Sequence, residues 1–149
     1  MTIAGSNSAG GAGIQADLRS FSALGVHGLC AITAVTTQKT HGVSDSETLS
    51  HGIVRAQINA VLDDFRVGAI KRGMLGTPAL CRTIAEALEP HRGIPLIVDP
   101  VAHSDHGGVV FTRLPGRRHQ AASDPACSLD DAECARSRTT DRPSIAQSQ

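Results

Sequence analysis

Near its amino terminus the chain reads Thr2-Ile3-Ala4-Gly5-Ser6-Asn7-Ser8-Ala9-Gly10-Gly11-Ala12-Gly13-Ile14-Gln15-Ala16-Asp17. A short apolar run stops at a glycine, small residues follow, and three glycines within four positions lead into a helical pattern. This order predicts a strand, a tight loop and a helix. Glycine permits positive φ and lets a ligand approach the backbone, and the first turn of a helix offers unpaired N–H groups. The loop suits an anion or a polar ring, although the same spacing also occurs in ordinary strand-to-helix turns.

The glycine spacing matches nucleotide-binding motifs only in part. Gly11-x-Gly13-x-x-Ala16 fits the looser dinucleotide fingerprint, which also requires an acidic residue about 20 residues later. Residues 32–39 contain no acid. A phosphate-binding P-loop requires Gly-Lys-Ser/Thr, and the first lysine of the chain is Lys39. The sequence therefore supports neither motif.

The apolar pattern after the loop predicts alternating helices and strands. The first helix has apolar residues at helical spacing, with Gly25 as its C-cap: Ile14, Leu18, Phe21 and Leu24. Residues 28–35 form a continuous apolar run, typical of a strand covered on both faces, and residues 40–49 predict a loop or a short edge strand.

Start signals mark two further helices. Ser50 is a predicted N-cap, and Thr77-Pro78 combines an N-cap with proline at the first helical position. Short apolar strands are predicted at residues 69–71 and 95–98. This alternation predicts an α/β fold with a parallel sheet between helices.

The same residues resemble a known family. The opening stretch and its continuation through Ala31-Ile32-Thr33-Ala34-Val35-Thr36-Thr37-Gln38 resemble the hydroxymethylpyrimidine/phosphomethylpyrimidine kinases of thiamine biosynthesis, which have the ribokinase-like fold. Lys71-x-Gly73-Met74-Leu75-Gly76 and Val98-Asp99-Pro100-Val101 resemble two further signatures of that family. The resemblance implies phosphorylation, with ATP and Mg²⁺, of 4-amino-5-hydroxymethyl-2-methylpyrimidine and then of its monophosphate.

The resemblance also implies a set of substrate-binding residues: Gly5, Asp17, Gln38, Met74 and Val101. An amide has a donor and an acceptor that match the edge of an aminopyrimidine ring, and the two apolar side chains would line the ring. Without the family, the residues favour ordinary structural roles: Asp17 as a solvated carboxylate near a helix N-terminus, Gln38 as loop surface, and Met74 as a loop or core residue. Asp99 could serve a metal or a phosphate, or cap the loop before Pro100.

No metal site or disulfide framework is predicted. The cysteines are scattered, and His103-x-x-His106 lacks the helical ligand spacing. Fourteen basic residues balance fourteen acidic ones, so neither nucleic acid nor an anionic membrane is an expected partner. We find no apolar run of membrane-spanning length and no signal peptide, so a cytoplasmic location is predicted. By resemblance, the protein could form a homodimer.

The carboxyl-terminal part has a different composition. Six of the twelve arginines fall in the last 38 residues, where large aliphatic side chains are scarce, so residues 112–149 are predicted to be a disordered tail. Residues 1–111 are predicted to be the amino-terminal part of a kinase domain, truncated by a frameshift or an early stop. The family continues with an Asn-x-x-Glu signature and a later Gly-x-Gly helix start, whose amides form the anion hole beside the catalytic base. Neither follows here, so no catalytic residue is assigned. The alternative function is a non-catalytic remnant that binds the pyrimidine or a partner protein.

Overall fold

The computed structural model describes residues 1–99. Its elements, in chain order, are β1 (Thr2–Asn7), α1 (Gly13–Ala23), β2 (Cys30–Lys39), β3 (Gly42–Thr48), α2 (His51–Asp64), β4 (Ile70–Arg72), α3 (Pro78–Leu88), a 3-10 turn (Glu89–His91) and β5 (Leu96–Val98). The domain boundary predicted after residue 111 and the tail predicted to be disordered lie outside the described residues.

The five strands form one sheet in the order β3-β2-β1-β4-β5. The pairs β1–β2, β1–β4 and β4–β5 are parallel, whereas β3 runs antiparallel to β2. The sheet is therefore mixed rather than wholly parallel. Only Thr40 and His41 separate β2 from β3, and so short a connection can form a hairpin but not a parallel crossover.

Helices cover both faces of the sheet. Ile3 and Ile70 point to one face, where they pack in a buried cluster with α2 and α3 through Val54, Ile58 and Leu80. Helix α1 packs against β1 from the opposite face, to which Thr2 and Lys71 point. The alternation of side chains along a strand produces this division. No helix within residues 1–99 has both the length and the apolar character needed to cross a bilayer.

The predicted helix starts at Ser50 and Thr77 are confirmed, whereas Gly25, predicted as the C-cap of α1, lies one residue beyond the C-cap Leu24. The hydroxyl of Ser50 accepts from the N–H of Ile53, and that of Thr77 accepts from the N–H of Leu80 at 3.2 Å. Gly25 follows α1 with φ 70°. The predicted apolar stripe of α1 is incomplete, because Leu24 lies at the C-cap and its side chain is 78% exposed.

Candidate functional site

The chain order within the sheet places β1 at a topological switch point. β2 lies on one side of β1 and β4 on the other, so the chain leaves β1 in one direction and returns on the opposite side. Open α/β sheets bind ligands at the carboxyl ends of their strands at such a point. The glycine-rich loop at residues 8–12 begins there, at the end of β1.

Side chains of β1 and α1 fix the shape of the loop. The side-chain oxygen of Asn7 accepts from the N–H of Ala9 at 2.8 Å, and the carbonyl of Asn7 accepts from the N–H of Gly10 at 2.9 Å. Gln15 in α1 reaches back to β1: its oxygen accepts from the N–H of Asn7 at 2.8 Å and its nitrogen donates to the hydroxyl of Ser6 at 2.7 Å. These bonds fix the start of the loop and tie α1 to the end of β1.

Gly13 allows α1 to start directly against β1. Its φ of +61° lies in the left-handed region, and a Cβ there would overlap the carbonyl oxygen of Gly5. A larger residue would push the first turn of the helix away from the strand. The sequence predicted a glycine-dependent turn, and the structure shows that Gly13 is the glycine on which the close contact depends.

Gly5 and Met74 lie in contact, although they are far apart in the sequence. The terminal methyl of Met74 occupies the space that a Cβ on Gly5 would fill. The hydroxyl of Thr33 donates to the carbonyl of Met74 at 2.8 Å and fixes that backbone beside β2. Two of the residues predicted to bind the substrate are thus neighbours, at the strand that forms the switch point.

Gln38 is joined to the glycine-rich loop through its backbone. The hydroxyl of Ser8 accepts from the N–H of Gln38 at 2.7 Å and donates to its carbonyl at 2.9 Å. Within the described part of the chain, no hydrogen bond engages the side-chain amide of Gln38. Ser8 was not singled out in the sequence, where it reads as one small loop residue among several.

Asp17, in α1, contacts the amino-terminal end of β1 and not the end that carries the loop. Its two carboxylate oxygens accept from Thr2 at 2.6 Å and from the ammonium of Lys71 at 2.8 Å, and its side chain is only 12% exposed. It is therefore not a solvated carboxylate. Its partner Thr2 is the first residue of β1, whereas the last residue of β1, Asn7, pairs with Thr36 of β2. Gln38 lies two residues beyond Thr36. Asp17 and Gln38 are therefore at opposite ends of β1 and do not lie side by side.

Lys71 pairs with a second carboxylate at the end of β5. Its ammonium lies 3.1 Å from Asp99. Burial lowers the pKa of Lys71, but hydrogen bonds and negative charges of Asp17 and Asp99 outweigh burial, so the pKa is raised above its ordinary value. Sequence reasoning gave Lys71 no role of its own, although it stands in a quoted signature two residues before Gly73. Val101 lies outside the described residues.

Residues 1–99 contain no cluster of three metal-binding side chains (His, Cys, Asp or Glu). The two carboxylates that do approach each other, Asp17 and Asp99, are bridged by Lys71. We therefore assign no step of a reaction to Mg²⁺. The pair His103 and His106 falls outside the described residues.

A cleft of about 360 Å³ opens at the opposite end of the strands. Its lining includes Met1, Phe21, Val26, Ala69 and Lys71, of which Met1 and Ala69 precede β1 and β4. Gly5, Gln38 and Met74 do not line it. The glycine-rich loop and this cleft are consequently two separate places in the molecule, and the switch point favours the loop as the functional site.

Comparison with known proteins gives one family. The model of the phosphomethylpyrimidine kinase family matches residues 7–115. A hydroxymethylpyrimidine/phosphomethylpyrimidine kinase of Streptomyces coelicolor is 50% identical over 111 residues, which cover 74% of this chain and 41% of that protein. The kinase of the same name from Mycobacterium tuberculosis is 47% identical over 108 residues, covering 72% and 39%. The chain thus spans about two fifths of the length of these curated relatives.

Solved structures confirm the ribokinase-like α/β fold. The crystal structure of phosphomethylpyrimidine kinase from Clostridium difficile matches with a TM-score of 0.68 and 46% identity, over 74% of this chain and 48% of that one. Pyridoxal kinase from Staphylococcus aureus, solved with AMP-PCP and pyridoxal, matches with a TM-score of 0.60 and 38% identity, over 67% and 37%. By the family match, which extends over most of its length, the chain belongs to the phosphomethylpyrimidine kinase family.

Proposed function

We propose that this chain binds 4-amino-5-hydroxymethyl-2-methylpyrimidine where the glycine-rich loop, Gln38 and Met74 meet, and that it acts in phosphorylation of this compound and of its monophosphate. The observation that carries the proposal is the contact between Gly5 and Met74 on the switch-point strand, together with the backbone hydrogen bonds that join Gln38 to Ser8 in the loop after that strand. The kinase relatives named above support the pyrimidine as substrate.

The side chains at this place suit a small aminopyrimidine. The amide of Gln38 presents both a donor and an acceptor, which match an exocyclic amino group and the adjacent ring nitrogen. The thioether of Met74 is apolar and polarisable, and it forms favourable contacts with aromatic rings. Gly5 has no side chain, so a flat ring could approach its backbone once the Met74 methyl moves aside.

In the proposed reaction the hydroxymethyl oxygen attacks the terminal phosphorus of ATP, the bond to the ADP oxygen breaks, and the hydroxyl proton leaves with a base. Such transfers depend mainly on positioning and on stabilising charge on the moving phosphoryl group. The S. aureus neighbour was solved with AMP-PCP, which supports ATP as the donor. We assign residues 1–99 the binding and orientation of the ring.

The first prediction tests Gln38 directly. Changing Gln38→Ala should weaken pyrimidine binding by about 1–3 kcal/mol, because the amide's partners on the ring lose their hydrogen bonds in a partly buried site. Titration calorimetry on the 149-residue chain measures this change. The matched control is the pyrimidine analogue without the 4-amino group. It should bind the unsubstituted protein weakly, and its affinity should fall little further in the Gln38→Ala variant.

Equal affinity of both proteins for the pyrimidine would remove Gln38 from the site. A coupled assay for ADP release separates the two functions considered. Turnover supports the kinase, whereas binding without turnover supports the non-catalytic pyrimidine-binding alternative. Absence of binding would contradict both.

A further inference from the structure

We propose that Lys71 is a positioning residue for the pyrimidine site. It acts by holding the carboxylate of Asp17 and, through it, helix α1, whose Gln15 is hydrogen-bonded to Ser6 and Asn7 at the start of the glycine-rich loop. The proposal rests on the proposed function for the identity of the ligand. The arrangement of the charges comes from the described residues alone.

The Asp17 carboxylate is fixed from two strands at once. One of its oxygens accepts from the ammonium of Lys71 on β4 at 2.8 Å, and the other accepts from the hydroxyl of Thr2 on β1 at 2.6 Å. Rotation of the carboxylate would break one of these bonds. Asp17 itself belongs to α1, so the two bonds also fix that helix against the sheet.

Burial distinguishes this cluster from the surface ion pairs. The side chains of Asp17 and Lys71 are 12% and 26% exposed, whereas those of Arg55 and Glu86, which pair across α2 and α3, are 43% and 65% exposed. Exposed pairs contribute little, but removing one partner of a buried pair leaves an uncompensated charge. Lys71 is therefore the positive charge that pairs with Asp17 in this mostly buried position.

The cluster adjoins the segment that carries Met74. The ammonium of Lys71 lies 3.9 Å from the position of a Cβ on Gly73, the residue before Met74. The N–H of Gly73 donates to the carbonyl of Ile3 at 2.9 Å, so this segment is hydrogen-bonded to β1 two residues before Gly5. The cluster thus lies next to the segment that leads to Met74.

Calorimetry on the full chain with the pyrimidine tests the proposal through four variants. Lys71→Met should weaken binding about tenfold or more, the range expected when a hydrogen bond to a charged group is lost. Lys71→Arg, which keeps the charge and the donors, should restore most of the affinity. Asp17→Asn should also weaken binding. The double variant, with both Asp17→Asn and Lys71→Met, should bind the pyrimidine nearly as well as Asp17→Asn alone. Arg55→Met, at the exposed pair, is the matched control and should bind as the unsubstituted chain does.

Lys71→Met alone could fail to fold because it leaves the Asp17 charge unpaired. The double variant has no such charge, so comparing its affinity with that of Asp17→Asn still tests whether Lys71 acts through Asp17. Circular dichroism establishes folding for each protein. Equal affinity of the two supports the proposal, and a further large loss in the double variant overturns it. If Lys71→Met folds and binds normally, the role of Lys71 is wrong while the proposed function stands. If the unsubstituted chain does not bind, the proposed function fails and this role fails with it.

Discussion

Single residues determine the shape of the glycine-rich loop, either through a side chain or through the lack of one. Gly13 lets the first turn of α1 lie on the carbonyl of Gly5, and Gly5 leaves room for the methyl of Met74. Asn7 and Gln15 then hold the loop between them in one shape. These contacts make the loop a fixed surface rather than a flexible connection, which reduces the entropy lost when a ligand binds.

Gly13 should tolerate no side chain. Gly13→Ala places a non-glycine residue at φ +61° and a methyl group against the Gly5 carbonyl, so we expect the free energy of unfolding to fall by about 2 kcal/mol or more. Urea denaturation followed by circular dichroism measures the change. Gly11→Ala is the control in the same loop, because a Cβ there meets no atom within 4 Å, and it should leave stability nearly unchanged. Similar stability of the two variants would contradict the close contact between α1 and β1.

At the scale of elements, helix α2 completes the hydrogen bonding of β2. The ladder between β2 and β3 begins at Ala34, and Ile32 precedes it. The side chain of Gln57 in α2 accepts from the N–H of Ile32 at 2.9 Å and donates to its carbonyl at 3.1 Å. The helix thus supplies the hydrogen-bond partner for Ile32 that β3 does not reach. The same two bonds fix α2 over β2, the strand that contains Gln38.

Gln57→Leu should therefore destabilise the protein. The change leaves two backbone groups of Ile32 without their partner, and each unsatisfied group costs about 1–3 kcal/mol where water cannot reach it. We expect a lower urea midpoint in the variant. Asn59→Leu, the matched amide-to-leucine change at an exposed position of the same helix, should have little effect. A midpoint for Gln57→Leu equal to that of Asn59→Leu would show that the two hydrogen bonds contribute nothing.

Local signals in the sequence predicted the elements better than their partners. Ser50 and Thr77-Pro78 mark helix starts through bonds to residues three positions away, and the glycines mark the turn before α1. The antiparallel pairing of β3, the bonds of Gln57 to Ile32 and the ion pairs of Lys71 join residues that are distant in the sequence. No spacing pattern reports such pairings, because they depend on which strands become neighbours in the sheet.

At the scale of the molecule, the order of the strands gathers the candidate residues. Gly5 lies in β1, and the glycine-rich loop follows that strand. Gln38 lies at the end of β2, and Met74 follows β4. These are the three adjacent central strands, and their carboxyl ends point the same way. The sequence predicted this gathering through the family resemblance. The cleft near Met1 and Val26, at the other end of the strands, is the competing place for a ligand.

The position of the pyrimidine can be measured directly by NMR. The ¹⁵N-labelled chain is titrated with 4-amino-5-hydroxymethyl-2-methylpyrimidine, and the backbone and side-chain amide signals are followed in two-dimensional spectra. If the pyrimidine binds at the glycine-rich loop, the largest changes will occur at Gly5, Ser8 and the side-chain amide of Gln38. Largest changes at Val26 and Ala69, or no change at any residue, would contradict the proposal that the pyrimidine binds at the glycine-rich loop.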